Sequence, residues 1–277
     1  MKESIFSFYV SKSDKEICDM PIKTTVGEYT VHTDSLTPLD VCERGERSLA
    51  VFGYAADLLS GKEEKIAEHI LSSADSLIGV IDVEYGLGGK YIIFYKDRTG
   101  LYVIGDATCS IPVYYTTSEE EPICTSNPML IVKEKALSPD PTLQKIRSSG
   151  KISQAMPFDF TEYKEIKQLI PNHCLSLDAG KAFRFINSKI KQTTLSVCEA
   201  REKTKSLIQA LTNYYLNKFK VYCPITSGRD SRVVLSFLSM LTDEPTECYT
   251  IKHREHTGKE QDLTVRLFSC LVSFQCT

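Results

Sequence analysis

The chain has 277 residues, 42% hydrophobic and 25% charged, an ordinary globular mix that excludes a disordered polymer. Lys plus Arg total 33 against 36 Asp plus Glu, a formal charge of -3, which excludes a nucleic-acid binder held by bulk charge. The length predicts about two domains at roughly 150 residues each. Ten cysteines are present but no C-x-x-C pair, so zinc-ribbon and thioredoxin-type sites are not expected. The reading is a reduced, cytoplasmic protein with free thiols. The apolar start Ile5 to Val10 is too short for a signal peptide. Apolar runs such as Val233 to Leu241 fall far below the roughly 18 residues of a membrane span.

The first part of the chain reads as strand-rich. Ile5 to Val10, Tyr29 to His32 and Ser48 to Gly53 are predicted strands. A helix follows over Glu63 to Ser73, with Ile66, Ile70 and Leu71 on one face. Tyr91–Tyr95 and Leu101–Ile104 form a hairpin, with the polar run Lys96 to Gly100 as a longer loop. Short strands are expected at Val113–Tyr115 and Ile123–Thr125. Ser138-Pro139-Asp140-Pro141 starts a helix carrying Leu143 and Ile146.

From Ser196 the pattern changes. Ser196 and Glu199 make a capping box, each side chain satisfying an orphan amide. The helix after it keeps Val197, Ala200, Thr204, Leu207, Ile208, Leu211 and Tyr215 on one face. Strand Val221–Ile225, helix Ser231–Leu241, strand Glu247–Ile251 and helix Lys259–Val272 then alternate, the opening of a parallel α/β sheet. The polar stretch near 186–195 divides a domain over 1–188 from one over 189–277. Two strands are too few for a stable parallel sheet, so the second domain is expected to be truncated or completed elsewhere.

Between the strand and helix at 221–241 lies the segment richest in chemistry, Thr226-Ser227-Gly228-Arg229-Asp230-Ser231-Arg232. A strand-to-helix junction presents free amides at the positive end of a helix, a ready phosphate site. Gly228 permits close approach of an anion. Thr226, Ser227 and Ser231 offer hydroxyls, and Arg229 or Arg232 can neutralise phosphate charge. Asp230 can hold a magnesium ion that bridges phosphates. The G-x-x-x-x-G-K-[ST] loop is absent. His253 and His256 have a metal-compatible spacing, but their context favours a solvated loop. His32, His69 and His173 stand alone.

Thr226 to Ser231 resembles the S-G-G-x-D-S pyrophosphate loop of the ATP pyrophosphatase (PP-loop) superfamily, and within it the asparagine synthase group. Ile104 to Tyr114, with Asp106 and Pro112, resembles the "RD..G..PLYY" segment of that group's amidotransferase domain. Phe160 to Leu177, with Ile166, Leu169 and Pro171, resembles its linker strands, and Gly258 to Asp262 resembles a helix entry in the nucleotide domain. The resemblance implies an α+β amidotransferase-like αββα sandwich followed by the start of an α/β PP-loop domain. It implies an ATP-dependent ligase that adenylates a small-molecule carboxylate, releases pyrophosphate and joins an amine. The phosphate cradle would be Thr226, Gly228 and Ser231, with Ser227 and Arg229 in the same loop. Asp230 would hold Mg2+, and Asp262 would make a further contact in the nucleotide domain.

The chain also departs from that pattern. Met1 to Phe6 holds no cysteine nucleophile, so no catalytic residue is assigned. The "NG" oxyanion element falls at Phe52-Gly53 and the Asp-Gly glutamine contact at Ile78-Gly79. Phenylalanine cannot donate to an oxyanion, and a glutaminase-dead scaffold is expected. Ser227 replaces a glycine. The chain stops before the remaining active-site groups, so the ligase is expected to be incomplete as written. The alternative is a non-catalytic relative serving as a structural or partner-binding module. Expected partners are a carboxylate, an amine and either a second copy in a homodimer or a complementing C-terminal polypeptide. No nucleic acid and no membrane are expected.

Overall fold

A computed structural model describes residues 5–118, 120–149, 156–185, 194–225, 228–242 and 247–249. The chain divides into two compact units, Met1–Gln192 and Thr193–Thr277. It mixes helices with antiparallel sheets.

The first unit opens with β1 (Phe8–Ser11), β2 (Ile22–Val26), β3 (Tyr29–Thr33), β4 (Leu39–Arg44) and β5 (Arg47–Asp57). α1 (Ile66–Ser73) and α2 (Leu77–Glu84) follow, then β6 (Leu87–Asp97), β7 (Gly100–Gly105), β8 (Tyr114–Thr116) and β9 (Cys124–Thr125). α3 (Pro128–Lys135), α4 (Pro141–Ser148), β10 (Ile166–Gln168), β11 (His173–Ser176) and β12 (Lys181–Arg184) complete it. One six-stranded sheet has the order β10-β8-β9-β1-β3-β2, the other β12-β11-β7-β6-β5-β4.

Alternation along each strand sorts its side chains into layers. Phe8 and Val10 on β1, Ala50 and Phe52 on β5, and Ile92 and Phe94 on β6 meet between the sheets. Phe8 lies edge-on to Phe52 and Phe94, with centroids 6.0 and 5.4 Å away. The intervening residues Leu49, Val51, Tyr91, Ile93 and Tyr95 turn outward onto Ile66, Ala67, Ile70 and Leu71 of α1 and Val80 and Ile81 of α2. On the outside of the other sheet, Tyr9 and Ile123 pack with Ile131 of α3. Helices thus cover the outer faces of two stacked sheets.

Several elements differ from the sequence expectation. The opening strand begins at Phe8 because Phe6 takes a left-handed conformation, φ 60°, with its N–H on Thr37 Oγ1 at 2.9 Å. The Lys96–Gly100 loop shortens to a two-residue turn, because Asp97 and Gly100 pair across it. β2, β4, α2 and α3 carry no clean periodicity and were not expected.

The two sheets are also tied by Asp178. It accepts from Tyr29 Oη at 2.5 Å and from the Leu101 N–H at 2.8 Å, and Lys12 Nζ lies 2.8 Å away. Burial alone would raise its pKa, but hydrogen bonds from Lys12, Tyr29 and the Leu101 amide hold it below the ordinary carboxylate value.

In the second unit, α5 (Val197–Lys218) begins at the expected Ser196–Glu199 capping box. Its predicted apolar face is not buried: Val197 is 86% exposed, Leu207 is also exposed, and Tyr214 alone on this helix is buried. Helical spacing needs only local sequence, whereas burial needs a covering layer. β13 (Tyr222–Pro224) pairs in parallel with β14 (Glu247–Tyr249), and α6 (Arg229–Leu241) connects to them. Leu235 and Leu238 of α6 bury against Cys223 and Ile225. The helix expected over 259–272 lies outside the described residues. Among the described residues, no helix is long and apolar enough to cross a membrane.

Replacing Asp178 with alanine strands the Tyr29 hydroxyl and the Leu101 amide. The expected loss is about 2–3 kcal/mol in urea unfolding of the full chain near pH 7. Because the folded pKa is depressed, the carboxylate's contribution disappears as pH falls through that folded value. Wild-type and D178A stabilities should therefore converge in acid.

Candidate functional site

β13 runs out at Pro224, and Ile225 prolongs the pairing by donating its N–H to the Tyr249 carbonyl at 2.8 Å. After residues 226–227, α6 begins. The structure brings Gly228, Arg229, Asp230 and Ser231 to its first turn, while Thr226, Ser227 and Asp262 lie outside the described residues, as do His253 and His256.

Gly228 is the N-cap, with φ -67° and ψ 161°, a conformation open to any residue. What glycine contributes is the missing side chain. As a glycine, this N-cap residue lends no side-chain cap to α6, whereas Ser76, Asn127, Asp140 and Ser196 cap α2, α3, α4 and α5 among the described residues. α1 is the other helix without such a cap. Gly228, Arg229 and Asp230 are exposed. Ser231 Oγ turns back to the Gly228 carbonyl at 3.4 Å, and Arg232 Nε donates to the same carbonyl at 3.2 Å. A guanidinium is thereby held at the positive end of α6.

This arrangement suits an oxyanion. The Asp230 carboxylate in the same turn opposes a bare anion and favours one that arrives with a divalent cation. Asp230 would supply one ligand to such a cation and the phosphate oxygens others. Among the described residues, no three His, Cys, Asp or Glu side chains gather as a metal site.

In the first unit, the positions matched to an oxyanion element are occupied differently. Phe52 is fully buried between the sheets. Gly53, φ 111°, donates its N–H to the Pro38 carbonyl at 2.9 Å, so that amide is already used. Ile78 and Gly79 lie in α2, where Ile78 is exposed and the Gly79 N–H reaches the Ser76 hydroxyl at 3.4 Å. Neither position offers a carboxylate.

The expected segment around Asp106 contains a buried polar cluster that spacing alone did not reveal. Asp106 is 4% exposed and accepts from the backbone and hydroxyl of both Thr108 and Ser110. Nearby, Glu84 at the end of α2 accepts from Tyr91 Oη at 3.1 Å. Burial pushes the Glu84 pKa up to about 7, against the lowering effect of the Tyr91 hydrogen bond and with a further rise from the Asp106 charge. Burial, Asp106 and Glu84 push the Cys109 thiol up to about 12, which leaves it protonated and unreactive near neutrality. The signal available in the sequence was a glutamate amid Val80, Ile81 and Val83, an acid inside an apolar helix.

No family model and no curated protein matches this chain.

The folded protein takes up a proton at Glu84 between the ordinary value of 4.5 and about 7. Its stability should therefore fall as pH rises through that window, by roughly 3 kcal/mol at most. Urea unfolding of wild type and the Glu84→Gln variant should show a stability difference, wild type minus variant, that falls with pH across this window.

Proposed function

We propose that the protein is an asparagine synthase-like, ATP-dependent amide-bond-forming ligase by ancestry, without glutaminase activity. One observation carries this reading: a strand of a parallel pair is followed by a helix whose N-cap is Gly228 and whose first turn holds Arg229, Asp230 and Ser231. In this reading the opening turn of α6 receives the pyrophosphate moiety of ATP. Gly228 leaves room for it, and Ser231 adds a hydroxyl. Arg232 lends positive charge from its place beside the Gly228 carbonyl. Asp230 holds Mg2+, which neutralises phosphate charge when bound. Thr226, Ser227 and Asp262 complete the site as the resemblance implies. The amide would form between a small carboxylate and an amine supplied from outside.

The first unit supports the same ancestry through its two stacked sheets with outer helices, here an amidotransferase-like sandwich turned scaffold. The buried Phe52 and the committed Gly53 amide support the loss of glutaminase chemistry, since an oxyanion needs donors that are free. A second reading, a non-catalytic partner-binding module, is favoured by Val233, Val234 and Met240, which α6 leaves exposed.

Equilibrium dialysis of the full chain should detect ATP binding that requires magnesium. Asp230→Ala should weaken it at least tenfold, about 1.4 kcal/mol. Absence of nucleotide and pyrophosphate binding in a folded sample, with and without magnesium, overturns the ligase reading and leaves the module.

A further inference from the structure

The sandwich has an open end where the chain enters β1 and where the loops after β7 and β9 turn. A cavity of about 510 Å3 lies there, within the ordinary range for small-molecule pockets. Phe6, Ile111 and Leu130 supply apolar wall, and Lys90, Ser7 and Ser126 supply polar groups.

Lys90 is the unusual member. It precedes the buried run Tyr91 to Tyr95 on β6 and shares a strand face with Ile92 and Phe94, so its stem runs toward the space between the sheets. It is half-buried, and its Nζ lies 4.1 Å from the centroid of the Phe6 ring. Among the described residues, no carboxylate forms an ion pair with it. Other well-covered lysines do have one: Lys96 with Glu28 at 3.4 Å, Lys167 with Asp159 at 3.5 Å, and Lys135 with Glu121. Taking an ammonium out of water without a counter-charge is costly, and one aromatic face returns only part of that cost.

The wall is also held in place deliberately. Phe6 (φ 60°) and Asp19 (φ 68°), both lining the cavity, have left-handed backbones that are unfavourable for non-glycine residues. The Phe6 conformation is secured by its amide on Thr37 and by the next amide, Ser7, on Asp34 Oδ2 at 2.7 Å. The kink stops β1 from continuing and presents the Phe6 ring to Lys90 and, 6.1 Å away, to Tyr54.

We infer that this cavity binds a small monocarboxylate with an apolar body. One ammonium matches a single negative charge rather than a phosphate dianion. The apolar wall suits a short hydrocarbon. The inference is independent of the nucleotide reading, which concerns the other unit.

Hexanoate is a suitable probe, with hexan-1-ol as the uncharged control. Carbon-13-labelled hexanoate should bind the full chain, seen as a shifted and broadened carboxylate resonance, and hexan-1-ol should bind at least tenfold more weakly. Cys18 lines the cavity and is exposed, whereas Cys198 is exposed on α5. Hexanoate should therefore slow maleimide labelling of Cys18 and leave Cys198 unchanged, by peptide mass spectrometry. Lys90→Met should weaken binding at least tenfold, and Lys90→Arg should retain it. Absence of hexanoate binding in the wild type, equal binding of hexan-1-ol, or unprotected Cys18 each overturns the inference, even if Lys90→Met fails to fold. Undiminished binding by a folded Lys90→Met overturns it as well.

Discussion

Two glycines bring β5 and β6 together more closely than any side chain would allow. A Cβ at Gly53 would stand 2.3 Å from the Lys90 carbonyl oxygen, and one at Gly89 would stand 2.1 Å from the Tyr54 carbonyl oxygen. Both residues have positive φ, 111° and 133°. In the resulting register Gly53 faces Tyr91 and Gly89 faces Ala55. A slip of one residue would exchange the two faces of the strand. It would move Ile92 and Phe94 out of the inter-sheet core and send Tyr91, Ile93 and Tyr95 into it. The same register delivers Lys90 to the open end of the sandwich and Tyr91 to Glu84.

The two units handle their polar groups in contrasting ways. In the first, backbone amides that chemistry might have used are already bonded. Gly53 donates to Pro38, and Asp106 gathers the amides of its own loop. In the second, α6 starts at a glycine with no side-chain cap, although the long helix before it is doubly capped. A donor can stabilise a ligand's charge only where the fold has not already claimed it. That principle underlies the proposed loss of glutaminase chemistry.

Burial shapes the ionisable groups in the same economical manner. Glu84 and Cys109 are both desolvated beside the Asp106 charge, and each is driven toward its neutral form. Asp178 is also partly covered, yet three donors hold it charged between the sheets. The same residue class thus serves opposite purposes according to how many donors surround it.

Local sequence determined those elements whose signal is local. The Ser196–Glu199 box caps α5, Asp140 and Pro141 open α4, and Ile66, Ile70 and Leu71 form the buried face of α1. The strand–loop–helix order around Gly228 was readable for the same reason, since a β-branched run, a polar break and a helical period are written within a few residues. Tertiary structure alone decided which faces found partners. α5 follows its predicted period but leaves Val197 and Leu207 exposed, while Lys90 meets the Phe6 ring and Glu84 meets the Asp106 charge only in the fold. Periodicity records the direction in which a side chain points. Its ionisation and its contacts depend on the desolvation and charge of whatever the fold sets opposite, and those neighbours are distant in the chain.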